Sequence, residues 1–286
     1  MKSLIKESRA LIKAALAEDI GTGDITTAAT VPARKKGRAR IIAKEDLVLA
    51  GLFLVKEVFS QLDKGISITT LKEDGEGIKK GRTIALLRGP LAPLLTGERV
   101  ALNILARLSG IATMTAAFVE KAPEVAVLDT RKTTPCLRSF ERYAVSIGGG
   151  INHRSGLYDA VLIKDNHIKA AGSITTAIKK ARKYCGSKAV IEVETTTLKE
   201  TKEALAAGTD IILLDNMDAS KIKKAVVIIG GRALSEVSGG VNLANIKEYA
   251  ATGVDRISVG ALTHSAPSVD ISMKVIDSNG REKNRG

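Results

Sequence analysis

From Val125 onward the chain alternates short apolar runs ending in polar residues with longer stretches of helical period. The runs are VAVLDT, AVLIKDNH, AVIEVET, DIILLDN, LSEVSGG and RISVGAL. Between most of them, segments such as TTLKETKEALAAG, ASKIKKAVVIIG and NLANIKEYAATG mix apolar with charged positions and close on glycine, a helix stop. Strands alternating with helices predict a parallel sheet. Asp129, Lys164, Glu194, Asp215, Ser238 and Gly260 fall toward the C-terminal ends of their runs, the rim where a parallel barrel assembles its chemistry. From Glu194 onward the last four are spaced by 21, 23 and 22 residues, one strand–helix unit each. Six strands, against the usual eight, predict an incomplete or irregular barrel.

The N-terminal third is patterned differently. RARIIAKEDLVLAG, ISITTLKEDGEGIKKG and TIALLRGP read as short strands separated by glycine and charged turns, predicting a smaller α+β domain over residues 1–105. The opening MKSLIKESRALIKAALAEDI reads as an amphipathic helix, charged throughout and lacking the apolar centre of a secretory leader. A helical stretch, LAPLLTGERVALNILARLSGIATMTAAFVEKA, leads on to the barrel domain over 106–268, with Gly97 and Gly110 as candidate interruptions. DISMKV (270–275) is strand-like and is expected to return to the first domain, and the polar end DSNGREKNRG is expected to be disordered.

Composition narrows the function classes. With 286 residues, 44% of them hydrophobic, the chain can fill a globular core. No apolar run approaches the ~20 residues of a membrane span, so a cytoplasmic protein is expected. Cys136 and Cys185 lie far apart without metal-site or disulfide spacing. A net charge of +13 suits nucleic acid, an acidic membrane surface or anionic metabolites. Aromatic content of 3% and no tryptophan argue against base stacking. Many lysines, as in AIKKARKY (177–184), read as a solvated helix face. Between Leu128 and Ile168, however, Arg131, Lys132, Arg138, His153, Arg154, Lys164 and His167 surround Gly148, Gly149 and Gly150, a composition that suits a small polyanion.

Nine segments are spread along nearly the whole chain: EDIGTGDITT, GERVALNILARLSGIAT, LDTRKTTP, GGGINHRSGL, LIKDNHI, IEVE, LLDN, SGG and VGALTHSAPSVDIS. In this order they resemble the quinolinate phosphoribosyltransferase family. The resemblance implies an α/β fold, a small α+β N-terminal domain packed on an open or irregular α/β barrel. It also implies a homodimer, or a higher even oligomer, in which the neighbouring subunit completes each site. The reaction implied joins quinolinate to phosphoribosyl pyrophosphate with Mg²⁺, giving nicotinate mononucleotide, pyrophosphate and CO₂, in de novo NAD synthesis. No nucleic acid or membrane partner is implied. Matched residue by residue, Arg131, Lys132, His153, Arg154 and Lys164 correspond to the cationic pocket for the two quinolinate carboxylates, with Arg99 offered by the neighbour. Glu194 and Asp215 correspond to the acidic pair near ribose and magnesium, ligating directly or through water, and join Lys132 and Lys164 as the catalytic set. Ser238, Gly239 and Gly260 match contacts to the 5-phosphate. Cys136 departs from the pattern, standing where glycine is common. A relative on the same fold acting on nicotinate, or the molybdenum-locus homologue, is the nearest rival reading. LIKDNH and the number of arginines favour quinolinate. A non-enzymatic anion or RNA binder is the rival from another class.

The chemistry accounts for these residue types. Two carboxylates and a pyrophosphate demand fixed positive charge, and guanidinium forks meet carboxylates bidentately. The pyridine nitrogen has its own lone pair, so no general base is needed. Carboxylates at Glu194 and Asp215 can stabilise an oxocarbenium-like centre or position Mg²⁺. Glu192 shares a strand face with Glu194 and is a second candidate. The quaternised ring is its own electron sink for decarboxylation, with Lys164 and His153 expected beside the departing group. The glycine run is either an anion cradle or a tight turn. After SGG, a helix start at Asn242 is predicted, which would aim N–H groups at phosphate. His167 reads as a pocket residue or a structural one, His264 as part of a lid or a turn, and Asp24 as a helix N-cap.

Overall fold

The computed structural model describes residues 2–276, so the expectation of a disordered tail lies outside the described residues. The chain opens with α1 (Lys2–Ile20), α2 (Ile25–Thr30), β1 (Lys36–Ala43) and β2 (Leu47–Val48). Next come α3 (Leu52–Leu62), β3 (Ser67–Thr70), β4 (Gly77–Ile78) and β5 (Thr83–Pro90), then α4 (Leu91–Thr96) and α5 (Glu98–Lys121). β6 (Ala126–Leu128), α6 (Arg138–Ile147), β7 (Val161–Ile163), α7 (Asp165–Ala171) and α8 (Ile174–Cys185) follow. β8 (Ile191–Thr195), α9 (Leu198–Ala206), β9 (Ile211–Asp215), α10 (Ala219–Ile229) and β10 (Leu234–Ser238) continue the alternation. It ends with α11 (Ile246–Ala250), β11 (Arg256–Ser258), α12 (Ala261–His264) and β12 (Ile271–Ile276).

Two compact units result. The first comprises Met1–Met114, Thr134–Gly148 and Ala266–Gly286; the second comprises Thr115–Thr133 and Gly149–Ser265. The division therefore falls inside α5 at Met114/Thr115, beyond the boundary expected near residue 105. Thr134–Gly148, carrying α6, belongs to the first unit although it follows β6, which the linear pattern did not reveal.

In the first unit an antiparallel sheet of order β12-β1-β5-β3 carries the core. α1 contributes Ile12 and Leu16, one turn apart on one face, and α3 contributes Val55 and Phe59 in the same way. They meet Ala39 and Ile41 of β1, Leu87 of β5 and Ile271 and Met273 of β12. Each large side chain so buried stabilises the unit by roughly 1.5–3 kcal/mol.

Asp24 caps α2, accepting from the Thr27 N–H at 2.9 Å and from the Thr27 hydroxyl at 2.6 Å, and the hydroxyl bond, followed by the N–H bond, leads the causes holding its carboxyl below the usual range. Of the two candidate interruptions, Gly97 ends α4, whereas Gly110 sits inside α5. Gly110 is there for closeness: an added Cβ would lie 1.9 Å from the Pro267 carbonyl oxygen. Gly110→Ala is expected to cost about 1–3 kcal/mol through overpacking, read as a lower denaturant midpoint at unchanged slope. An unchanged midpoint would show that the Pro267 segment gives way freely.

Leu91–Lys121 is, by length and a mean hydropathy of 1.4 over its most apolar window, the one helical stretch among the described residues that could cross a membrane. This corrects the reading that no run comes near that length. Half of the window is buried, and Leu94, Leu102 and Leu105 belong to the first unit's core, as in a soluble protein's central helix.

Cys136 adopts φ +65° in an exposed loop of this unit, a left-handed conformation that costs a residue with a Cβ. Cys136→Gly is expected to raise stability by about 0.5–1 kcal/mol, the relief outweighing the added freedom of the unfolded chain. A lower denaturant midpoint would contradict this.

The second unit holds six parallel strands in the order β6-β11-β10-β9-β8-β7, matching the six runs read from the sequence. β6 and β7 lie at opposite ends of the sheet, so the barrel is open. Strand register pairs Glu194 and Glu236 with Leu213, and Asp215 and Ser258 with Ser238. Counting by twos, Glu192, Glu194, Leu213, Asp215, Glu236, Ser238 and Ser258 share one face. The alternate positions Val193, Ile212, Leu214, Val237 and Ile257 are buried and apolar. The sheet therefore has one face for the core and one for chemistry.

Candidate active site

A cleft of about 570 Å³ opens on the polar face of the second unit. Arg131, Lys132, His153, Arg154, Lys164, Asp215, Ser238, Gly239 and Gly260 all line it. Arg131 and Lys132 continue beyond β6, where the Lys132 N–H donates to Thr130 Oγ1 at 3.1 Å and its carbonyl accepts from Thr263 Oγ1 at 2.8 Å. His153 and Arg154 arrive on a segment that runs beside β6, through a parallel bridge between Leu128 and Ile151. Buried Asp129 fixes that segment by accepting the His153 N–H at 2.7 Å. Burial, and then the nearby Arg131 guanidinium, hold Arg154 below its ordinary pKa. Two like charges brought together beside a cleft mark a site for an anion.

His153 is oriented away from that task. Its Nε2 lies 3.1 Å from Glu192 and 3.4 Å from Glu236, both buried. Its Nδ1 accepts the Arg154 N–H at 2.7 Å. Both ring nitrogens are thus engaged, and the expected direct contact with a substrate carboxylate is not what this geometry offers. Burial opposes charge on the ring, but hydrogen bonds and the charges of the two glutamates outweigh it and push its pKa up to about 10. The Nδ1 lone pair that accepts the Arg154 N–H is given up when the ring takes a second proton, so the Nε2 proton is common to both protonation states, and the titration belongs to a cluster shared with Glu192, whose carboxyl burial pushes up. His153, Glu192 and Glu236 have the ligand types of a metal site, yet a protonated Nε2 has no lone pair to give.

Two further features face the cleft. Lys164, extended at the end of β7, pairs with Glu194, so two residues expected to act separately neutralise each other here. Glu194 itself does not line the cleft. Asp215 ends β9 with Oδ2 accepting from Asn216 Nδ2 at 2.7 Å. Across from it, Ser238 ends β10 and Gly239 follows at φ +99°, open only to glycine without strain.

Models of the quinolinate phosphoribosyl transferase N-terminal and C-terminal domains match residues 24–109 and 111–274. The chain belongs to the quinolinate phosphoribosyltransferase family. It is 43% identical over 286 residues to the chloroplastic, carboxylating nicotinate-nucleotide pyrophosphorylase of Arabidopsis thaliana, covering 93% of this chain and 82% of that protein. The crystal structure of NadC from Streptococcus pyogenes superposes with a TM-score of 0.90 at 44% identity, covering 94% of this chain and 96% of that one. The nicotinate-nucleotide pyrophosphorylase of Francisella tularensis gives 0.91 at 43%, covering 95% and 97%.

Within this family member the remaining candidates sort by position. Arg99 is exposed in the first turn of α5, in the first unit, and is not a cleft residue. Arg138 begins α6, also in the first unit. His167 is structural: its Nδ1 accepts the Lys164 N–H at 3.0 Å at the start of α7. His264 lines the cleft, with Nδ1 2.6 Å from Ser265 Oγ. Gly148 ends α6 and Gly149 turns the chain at φ +88°, and none of the three glycines lines the cleft, so the run is a turn. The helix expected at Asn242 starts only at Ile246. Asn242 and Asn245 bond nearby backbone N–H groups at 2.7–3.2 Å, holding the segment in turns. The segment after Ser238 therefore presents a bare glycine turn to the cleft, not a helix end.

Sequence reasoning missed Glu236 and Asn216. Glu236 could have been found from parity: it shares a face with Ser238, and an acid inside an apolar run demands a partner. Asn216 directly follows Asp215 in LLDN, and no local pattern in the sequence marks it out.

Proposed function

We propose that this protein is a decarboxylating quinolinate phosphoribosyltransferase of de novo NAD synthesis. The observation that carries the reading is one cleft lined both by Arg131, Lys132 and Arg154 and by the Asp215, Ser238 and Gly239 rim. The guanidinium side suits a pyridine dicarboxylate; the rim suits a phosphorylated ribose. With both seated, the ring nitrogen attacks the anomeric carbon as its bond to pyrophosphate breaks. The adjacent carboxylate then leaves as CO₂, its bonding electrons pass to the pyridinium, and the ring carbon takes up one proton. Arg131 and Arg154 hold the reactants in register, and Asp215 faces the developing positive charge.

Mg²⁺ is part of this proposal. Asp215 supplies a hard oxygen at the cleft, of the kind magnesium takes, while Glu194 joins only if Lys164 releases it. When bound, the ion neutralises pyrophosphate. We also place Arg99 in a neighbouring copy's site, in a dimer or higher even oligomer, because an exposed arginine outside its own cleft is free to serve another. Mixing Arg99→Ala with Lys164→Ala protein is then expected to restore activity that neither variant has alone; no restoration would remove Arg99 from the site. A cytoplasmic location completes the reading, supported by two exposed free cysteines, which suit a reducing compartment.

The deciding assay offers quinolinate and nicotinate in parallel, with phosphoribosyl pyrophosphate and Mg²⁺. Mononucleotide and CO₂ in equal amounts from quinolinate alone are expected. Product from nicotinate instead, or from neither, would overturn the assignment.

A further inference from the structure

Asn216 follows the β9 carboxylate with φ +52°, a left-handed conformation that asparagine tolerates better than most residues. It faces two ways. A carboxylate only accepts hydrogen bonds, so the amide nitrogen is the atom that meets Asp215 Oδ2 at 2.7 Å. The amide oxygen then lies over Gly239, where an added Cβ would come within 2.2 Å of it. The Asn216 backbone N–H meanwhile donates to the Ser238 carbonyl at 2.9 Å. One residue therefore touches both halves of the rim, the acid at the end of β9 and the glycine turn at the end of β10.

We infer that Asn216 is the positioning residue of the phosphoribosyl side of the cleft, fixing the Asp215 carboxylate and the Ser238–Gly239 turn relative to each other. The inference rests on the proposed function for the identity of the ligand, but its geometry is independent of the guanidinium side. It requires that Asn216 act on phosphoribosyl pyrophosphate and not on quinolinate.

Asn216→Gly provides the test. Glycine adopts the same backbone without strain, so the variant deletes the amide and keeps the fold. KM for phosphoribosyl pyrophosphate is expected to rise about tenfold or more, the worth of a hydrogen bond to a charged group, with KM for quinolinate within about twofold. Calorimetric titration of the resting protein with phosphoribosyl pyrophosphate and Mg²⁺ is expected to show the same weakening without turnover. Thermal melting monitors the fold, and Gly239→Ala, which drives a methyl into the amide, is expected to reproduce the selective loss. Unchanged titration affinity in Asn216→Gly would overturn the inference, as would equal rises in both KM values, the mark of general loosening. Wild-type protein that binds phosphoribosyl pyrophosphate but never turns over quinolinate would instead sink the functional reading, leaving the titration to decide the role of Asn216.

Discussion

Asp215→Asn is expected to lower kcat with quinolinate by about 10²-fold, equivalent to about 2.7 kcal/mol of transition-state stabilisation, and to leave KM for quinolinate within about twofold. The split follows from position. Asp215 lies on the rim with Ser238 and Gly239, whereas the charges suited to two carboxylates come from Arg131, Lys132 and Arg154. The substitution keeps the shape of the side chain and leaves an amide oxygen to accept from Asn216, so the site stays assembled while its negative charge disappears. What is lost is attraction for the positive charge that develops as pyrophosphate departs, an interaction the ground state barely uses. Steady-state kinetics with each substrate varied in turn, alongside thermal melting, measures this. An unchanged kcat would remove Asp215 from the chemistry and return attention to a binder that uses net charge alone. A rise confined to the quinolinate KM would mean that the two halves of the cleft have been assigned the wrong way round.

The parallel sheet and its polar rim were legible because both depend on local periodicity. An apolar run ending in a polar residue fixes a strand and its C-terminal end, and period-two alternation then puts Asp215 and Ser238 on the same face without any long-range information. Lys164 could be placed at the cleft for the same reason, whereas Lys132, beyond the end of β6, was placed only by the family resemblance. The orientation of His153 could not. Its role depends on Asp129, 24 residues earlier, and on Glu192 and Glu236, 39 and 83 residues later, and no pattern local to GGGINHRSG encodes those contacts. The Lys164–Glu194 pair was hidden similarly: each residue was assigned from its own strand end, and only the adjacency of β7 and β8 lets them meet. At Asn242 the error was one of competition. The helical period is present, but asparagine side chains satisfy the backbone locally and delay the helix to Ile246. Thr134–Gly148 was misplaced because its sequence neighbours belong to the other unit, while its decisive contact is with Arg107, far upstream.

That contact should dominate stability. Glu141, fully buried in α6, accepts from Arg107 Nη2 at 2.8 Å and Nε at 3.2 Å, and from Thr134 Oγ1 at 2.8 Å and its N–H at 3.0 Å. Arg107 in turn donates through Nη1 to the Ala266 carbonyl at 2.7 Å. Three parts of the first unit, α5, the loop at Thr134 and α6, meet at this carboxylate, and Arg107 ties in a fourth, the strand approach at Ala266. Glu141→Ala leaves the guanidinium without its carboxylate and strips the Thr134 N–H and hydroxyl of their acceptor, and is expected to cost about 3–5 kcal/mol. Arg107→Ala is expected to cost a similar amount, because it strands a negative charge where water does not reach. The double variant Arg107→Ala/Glu141→Ala should lose clearly less than the sum, since each single change already bears the penalty of an unpaired charge. Denaturant unfolding of the three variants measures the coupling, with a fall in Tm of roughly 5–10 °C for either single change. Strict additivity, or single-variant losses below about 1 kcal/mol of the kind surface pairs give, would show that water already screens the pair and that the fold of this segment rests on its apolar contacts.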